Sequence, residues 1–220
     1  MTRSLLIAGA TGMVGAEVLK LAVSDQRFSR VVTWGRRSAT GHEGRLEHWG
    51  STSGDLVHQL RPDRMDAVVC CLGTTIKTVK GDKQAFIHVD KDLVVALGRW
   101  ASRKNTRFCV VSAIGADPKS PFFYNRVKGE MEHDLRKLDF AALHIFQPSI
   151  LDGPRTENRL GERAALAVMK LLRPVLPMRS HPMPHTMLAK ALLSAATSET
   201  VGTQVHTYAN IAALAREIRN

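Results

Sequence analysis

The feature that most constrains this chain is a glycine loop set between a short apolar run and an amphipathic segment: Gly9-Ala10-Thr11-Gly12-Met13-Val14-Gly15. Residues 4–8 read as a strand covered on both faces, ended by Gly9. Beyond the loop, Val14, Val18 and Leu21 recur at i, i+4 and i+7, which puts one apolar stripe of a helix against that strand. Strand, glycine loop and helix in this order are the context that a dinucleotide-binding turn requires. Gly9 permits the tight turn, Gly12 lets the backbone approach a pyrophosphate, and Gly15 lets helix and strand pack closely. The N–H groups from Thr11 through Met13 and Val14 then face the phosphates, with the helix dipole behind them.

The rest of the chain repeats the alternation. Strands are expected at residues 30–34, 46–49, 66–72, 107–112 and 141–146. Helices are expected around Leu93, Leu97, Trp100 and Ala101, and over residues 120–137. Past residue 150 the pattern turns helical. Ala164, Val168, Leu171 and Leu172 share one face, Leu188, Ala191, Leu192 and Ala195 another, and Asn210 is placed to cap a last helix carrying Ile211, Leu214, Ala215 and Ile218. The fold class is therefore α/β: a Rossmann-type doubly wound parallel sheet with a small C-terminal helical substrate region. At 220 residues it reads as a single domain, residues 1–150 forming the cofactor-binding core and 151–220 the substrate side.

Charge asks for an anionic partner: 31 Lys and Arg stand against 20 Asp and Glu, a formal net charge of +11. The excess is spread over both halves, and aromatic residues are only 5%, so stacking platforms for nucleic acid are few. No nucleic-acid partner is expected, and no apolar stretch is long enough for a transmembrane segment. The first residues are too short an apolar run for a secretory signal, and three cysteines without metal-ligand spacing suit a reducing compartment; the expected location is cytoplasmic. Cys70, Cys71 and Cys109 sit in apolar runs and read as buried packing. His181-Pro-Met-Pro-His185 reads as a proline-stiffened loop, and no metal site is expected. Residues 164–178, apolar with Lys170 and Arg173, read as a packed stripe rather than a membrane-surface helix.

A phosphate-bearing small molecule is left as the anion. The second strand of a dinucleotide fold usually ends in an acid that binds the ribose hydroxyls of NAD; here it ends in Gly35, Arg36 and Arg37. Two guanidinium groups there suit a 2′-phosphate, so NADP(H) is favoured over NAD(H). After the fourth strand, Leu72-Gly73-Thr74-Thr75 offers a close backbone approach and two hydroxyls for ribose or phosphate.

Tyr124 and Lys128 lie four residues apart on one helical face, and Ser112 closes the fifth strand at the edge where doubly wound folds hold ligands. With the glycine loop these residues resemble the short-chain dehydrogenase/reductase superfamily across nearly the whole chain. Cys70 to Thr75, Val89-Asp90, Val111 to Asp117 and Tyr124 to Glu130 are similar to the atypical branch of Tat-interactive-protein-like NAD(P)H-binding oxidoreductases. The resemblance implies a Rossmann-type fold, an NADP(H) site and a serine, tyrosine and lysine in position for carbonyl reduction. Tyr124 would donate the proton, Lys128 would pull its pKa toward working pH and bind the nicotinamide ribose, and Ser112 would orient the substrate oxygen. Pro148, Ser149 and Ile150 resemble the segment that passes the carboxamide. Where the superfamily often carries a relay asparagine, this chain has residues 94–97, Val-Val-Ala-Leu, so relay by water or ribose is expected. Asp152 to Arg155 and the helices to about residue 196 are expected to form the substrate side and lid.

The expected function is thus NADP(H)-dependent reduction of a small carbonyl compound. The alternative is an NADPH-binding regulatory or scaffold protein with little catalysis. A homodimer or a regulatory protein partner is compatible with either.

Overall fold

In the computed structural model, residues 2–38, 46–50, 52, 55–102, 105–153 and 181–218 are described. Nine strands occur among them: β1 (Arg3–Ala8), β2 (Phe28–Trp34), β3 (Leu46–Trp49), β4 (Ala67–Cys70), β5 (Arg107–Val111), β6 (Ala142–Phe146), β7 (Leu151–Asp152), β8 (Met183–Pro184) and β9 (Gly202–His206). Seven form one sheet in the order β3-β2-β1-β4-β5-β6-β9, and β7 pairs with β8 apart from it. Every pairing is parallel. The order reverses at β1, which lies between β2 and β4, so the crevice for a ligand opens beyond the carboxyl ends of β1 and β4.

Parallel strands need crossovers, and the helices that supply them cover both faces. These are α1 (Met13–Ser24), α2 (Lys83–Ile87), α3 (Leu93–Ser102), α4 (Phe123–Leu135), α5 (His185–Thr197) and α6 (Tyr208–Glu217). Alternation along β1 divides the core in two. Leu5 and Ile7 pack with Val14 and Val18 of α1, Leu188 and Leu192 of α5, and Ile211 of α6. Leu6 and Ala8 pack with Leu93 and Leu97 of α3 and with Met131 and Leu135 of α4. The expected doubly wound sheet is the one observed.

Four details differ from the sequence reading. The helix expected around Leu93 is already formed from Lys83, where the Asp82 carboxylate accepts from the Gln84 and Ala85 N–H groups, and it passes through a π-turn at His88–Asp92. Strand β9 was not anticipated, because Gly202–His206 is polar and largely exposed at the sheet edge. The last helix starts at Tyr208 after Thr207, so Asn210 lies inside it and does not cap it. Helix α5 is buried against the sheet layer, with Leu188, Ala191, Leu192 and Ala195 at its inner face; it is scaffold, not lid. Residues 164–178 and Arg155 lie outside the described residues.

The three cysteines behave as packing groups. Cys70 and Cys109 are fully buried, and burial pushes their thiols up to about 11 and about 12, away from thiolate chemistry.

Candidate active site

The glycine loop has the crowding that its sequence predicts. Gly9 adopts φ +79°, and a Cβ there would stand 2.7 Å from the Cys71 carbonyl oxygen, just beyond β4. A Cβ on Gly15 would stand 2.2 Å from the Gly9 carbonyl oxygen, so the first turn of α1 can approach β1 only without a side chain. Gly12 caps α1 with extended backbone; no side chain caps that end, and no acid lies in the first turn. The helix therefore presents its positive end at the switch point, which fits the pyrophosphate of a dinucleotide.

Beside the loop, Arg37 Nη2 donates to Thr11 Oγ1 at 3.3 Å, and Arg36 is exposed. Gly35 donates its N–H to the Trp49 carbonyl at 3.3 Å, but a Cβ there would meet nothing within 4 Å. Packing does not demand that glycine. It demands Gly50, whose Cβ would fall 1.9 Å from the Gly35 carbonyl oxygen.

Tyr124 and Lys128 project from α4 toward the end of β4. Lys128 is buried, and its Nζ lies 2.8 Å from Asp90 Oδ1, with the two side chains 4% and 1% exposed. Asp90 Oδ2 accepts from the Thr74 N–H at 2.7 Å. A Cβ on Gly73 would stand in ordinary contact, 3.5 Å from Asp90 Oδ1 and 4.0 Å from Lys128 Nζ, so the loop after β4 passes directly beside the ion pair. Asp90 sits in the π-turn, the kind of wide turn often found at functional sites. Thr75 is turned elsewhere: its hydroxyl pairs with Thr78 Oγ1 at 2.8 Å. Tyr124 is 42% exposed, its ring edge-on to Phe86 at 5.9 Å.

The charges are balanced in an unanticipated way. Burial raises the Tyr124 phenol above its ordinary value; Lys128 pulls it down and Asp90 pushes it up again. Burial is the largest of these effects, so the Lys128 ammonium by itself does not bring the phenol below its ordinary value. Burial lowers Lys128, but Asp90 and Tyr124 together raise it further, so it stays above an ordinary lysine.

Ser112 is buried at the end of β5, and its hydroxyl donates to Glu132 Oε1 in a short hydrogen bond. Glu132 also accepts from Gln147 Nε2, at 2.9 and 3.1 Å, and from Arg136 Nη2 at 3.4 Å. Farther along, Ile114 N–H donates to the Pro148 carbonyl at 3.0 Å, and the Ser149 hydroxyl donates to the His181 carbonyl. Ile150 accepts at its carbonyl from the Met183 N–H at 2.9 Å, next to the β7–β8 pair.

Asp90 and Glu132 were missed as site residues. Both left a signal: each is an acid in phase with an apolar helical stripe, Asp90 with Phe86, Leu93 and Leu97, and Glu132 with Lys128, Met131 and Leu135. A carboxylate on a buried face must have a partner.

Comparison with known proteins supports a nicotinamide-cofactor fold. The family model described as NAD dependent epimerase/dehydratase family matches residues 5–131, from β1 to α4. Protein FMP52, mitochondrial, of Eremothecium gossypii is 34% identical over 164 residues, 74% of this chain and 73% of the relative. Protein HTATIP2 of Rattus norvegicus is 34% identical over 168 residues, 73% of this chain and 67% of the relative. Among solved structures, MoeE5 in complex with UDP-glucose and NAD has the same fold, with a TM-score of 0.66 at 14% identity over 97% of this chain and 81% of that one. A dTDP-4-dehydrorhamnose reductase from Bacillus anthracis in complex with NADP has a TM-score of 0.64 at 12% identity over 94% of this chain and 75% of that one. The expectation of a cytoplasmic location is corrected by the FMP52 relatives, which are named as mitochondrial proteins.

Proposed function

Since the chain belongs to the NAD dependent epimerase/dehydratase family, as a relative of HTATIP2 and FMP52, we propose that it is an NADP(H)-dependent oxidoreductase that reduces a small carbonyl compound. The observation that carries this reading is the Tyr124–Lys128–Asp90 set, held at the end of β4 beside Gly73, on the same sheet edge as the glycine loop. Gly9, Gly12 and Gly15 would cradle the pyrophosphate and Arg36 and Arg37 the 2′-phosphate, with Pro148, Ser149 and Ile150 along the carboxamide. When bound, the cofactor supplies the hydride.

The chain's own residues handle the proton. As negative charge builds on the carbonyl oxygen, the Tyr124 Oη proton passes to it. That phenol, held above its ordinary value, is protonated at neutral pH and can donate. The Lys128 ammonium stabilises the phenolate left behind, and Asp90 fixes the ammonium in place from the far side. With its hydroxyl proton committed to Glu132, Ser112 acts as a positioning residue that fastens β5 to α4 and can offer the site only a lone pair.

Tyr124→Phe keeps the ring against Phe86 and removes the proton. Turnover should fall by about 100- to 10,000-fold, while NADPH affinity measured by fluorescence stays within about twofold, since a phenol at the reacting end adds little to ground-state binding. Unchanged turnover would refute the assignment.

A further inference from the structure

Seven large apolar side chains are exposed among the described residues, and five of them lie at one edge of the sheet. Ile76, Ile114 and Ile150 lie on the loops after β4, β5 and β6; Phe122 and Tyr124 lie at the start of α4. All therefore belong to the carboxyl edge of the sheet, while the other two, Val201 and Val205, belong to the β9 edge. Scattered exposed apolar residues need no explanation; a concentration of them on the edge that carries the proposed proton donor does. Phe122, 72% exposed, stands two residues from Tyr124. Ile114 is pinned between two neighbours: its N–H donates to the Pro148 carbonyl at 3.0 Å, and its carbonyl accepts from Asn125 Nδ2 at 3.0 Å.

Several polar groups of the same rim already hydrogen-bond within the protein. The Ser112 hydroxyl is held by Glu132, that of Thr75 by Thr78, that of Ser149 by the His181 carbonyl, and the Thr74 N–H by Asp90. A sugar ring arriving here would bring many hydroxyls and meet few free donors, so part of its own hydrogen bonding would go unmade. An alkyl or aryl chain loses nothing by the same contact and gains from leaving water.

Resting on the carbonyl-reductase reading above, we propose that the substrate of this site is an aldehyde or ketone with an apolar body, and not a nucleotide-linked sugar. The test compares kcat/KM for acetaldehyde and octanal with NADPH, in the unmodified chain and in Phe122→Ser and Ile114→Ser. Both positions are exposed, so the variants keep the core. Alongside, calorimetry titrates octanol and UDP-glucose into the NADP-loaded protein.

Octanal should be favoured by about tenfold or more, given the gain expected from each methylene removed from water. The preference should fall several-fold in both variants, and octanol should bind where UDP-glucose does not displace it. Equal turnover of the two aldehydes, a preference unmoved in both variants, or displacement of octanol by UDP-glucose would each overturn the proposal and leave carbonyl reduction standing. Octanol binding with neither aldehyde turned over would overturn the reductase reading and leave apolar recognition standing.

Discussion

Replacing Asp90 alone should damage the protein more than replacing Asp90 and Lys128 together. In Asp90→Leu the Lys128 ammonium remains buried without its partner at 2.8 Å, and the Thr74 N–H loses its acceptor. Breaking a buried pair in this way costs about 3–5 kcal/mol. For a chain of this size that corresponds to a fall in Tm of about 6–20 °C. The double variant Asp90→Leu/Lys128→Met removes both desolvation penalties and should return to within about 2 kcal/mol of the parent, the Thr74 N–H accounting for the remainder. Urea unfolding followed by fluorescence reads the cycle, since Trp34 and Trp49 are both buried. Because Lys128 is raised above an ordinary lysine, its contribution is fully present below that ordinary value and is lost only as pH rises through the folded one. Neutral pH therefore shows the full coupling. A single variant costing less than about 1 kcal/mol, or a double variant no better than the single, would refute the claim that these charges hold each other in a dry site.

Arg36→Ala and Arg37→Ala should each weaken NADPH about tenfold or more, from the loss of a charge-assisted contact, and leave NADH nearly unchanged; equal losses by titration would refute the 2′-phosphate role. His144, buried between β5 and β9 with Nδ1 3.0 Å from His206 Nε2, is pulled down by burial to about 4. Its unfolded form takes up a proton first, so stability is complete above pH 6.5 and declines as pH falls toward 4, by roughly 3 kcal/mol. His144→Gln should flatten that slope in urea titrations, and an unchanged slope would place the acid sensitivity elsewhere. Oxidation of an alcohol in the reverse direction needs the Tyr124 phenolate, so its rate should keep climbing beyond the ordinary phenol value. A profile that levels at neutral pH would contradict the balance of charges around Tyr124.

The cofactor half of the fold was legible because its signals are local. A strand, three glycines at fixed spacing and a helical stripe lie within the first two dozen residues, and the steric reasons for Gly9 and Gly15 need only the neighbouring turn and the end of β4. The polar partners were not legible in the same way. Lys128 meets Asp90 across a separation of thirty-eight positions, and although Asp90 is in phase with its apolar stripe, no local pattern says which cation faces it. Ser112 could be placed at the end of β5 from sequence, but its tie to Glu132 depends on how α4 lies over that strand. Strand β9 escaped because an exposed polar edge strand carries little apolar alternation, and what holds it is the ladder to β6.

Asp90 also bears on the protonation of Tyr124. A tyrosine beside an unpaired lysine is drawn toward the phenolate and is suited to taking a proton from a hydroxyl. Here the lysine's charge faces a carboxylate on its other side, both groups are buried, and the phenol is left above its ordinary value. The phenol is therefore in its protonated form at neutral pH, the form that the proposed reductive step would consume. The surplus of +11 over the whole chain does not decide this, since exposed charges beyond a Debye length are screened. Burial of the phenol is the largest contribution, and the carboxylate 2.8 Å from the ammonium adds to it.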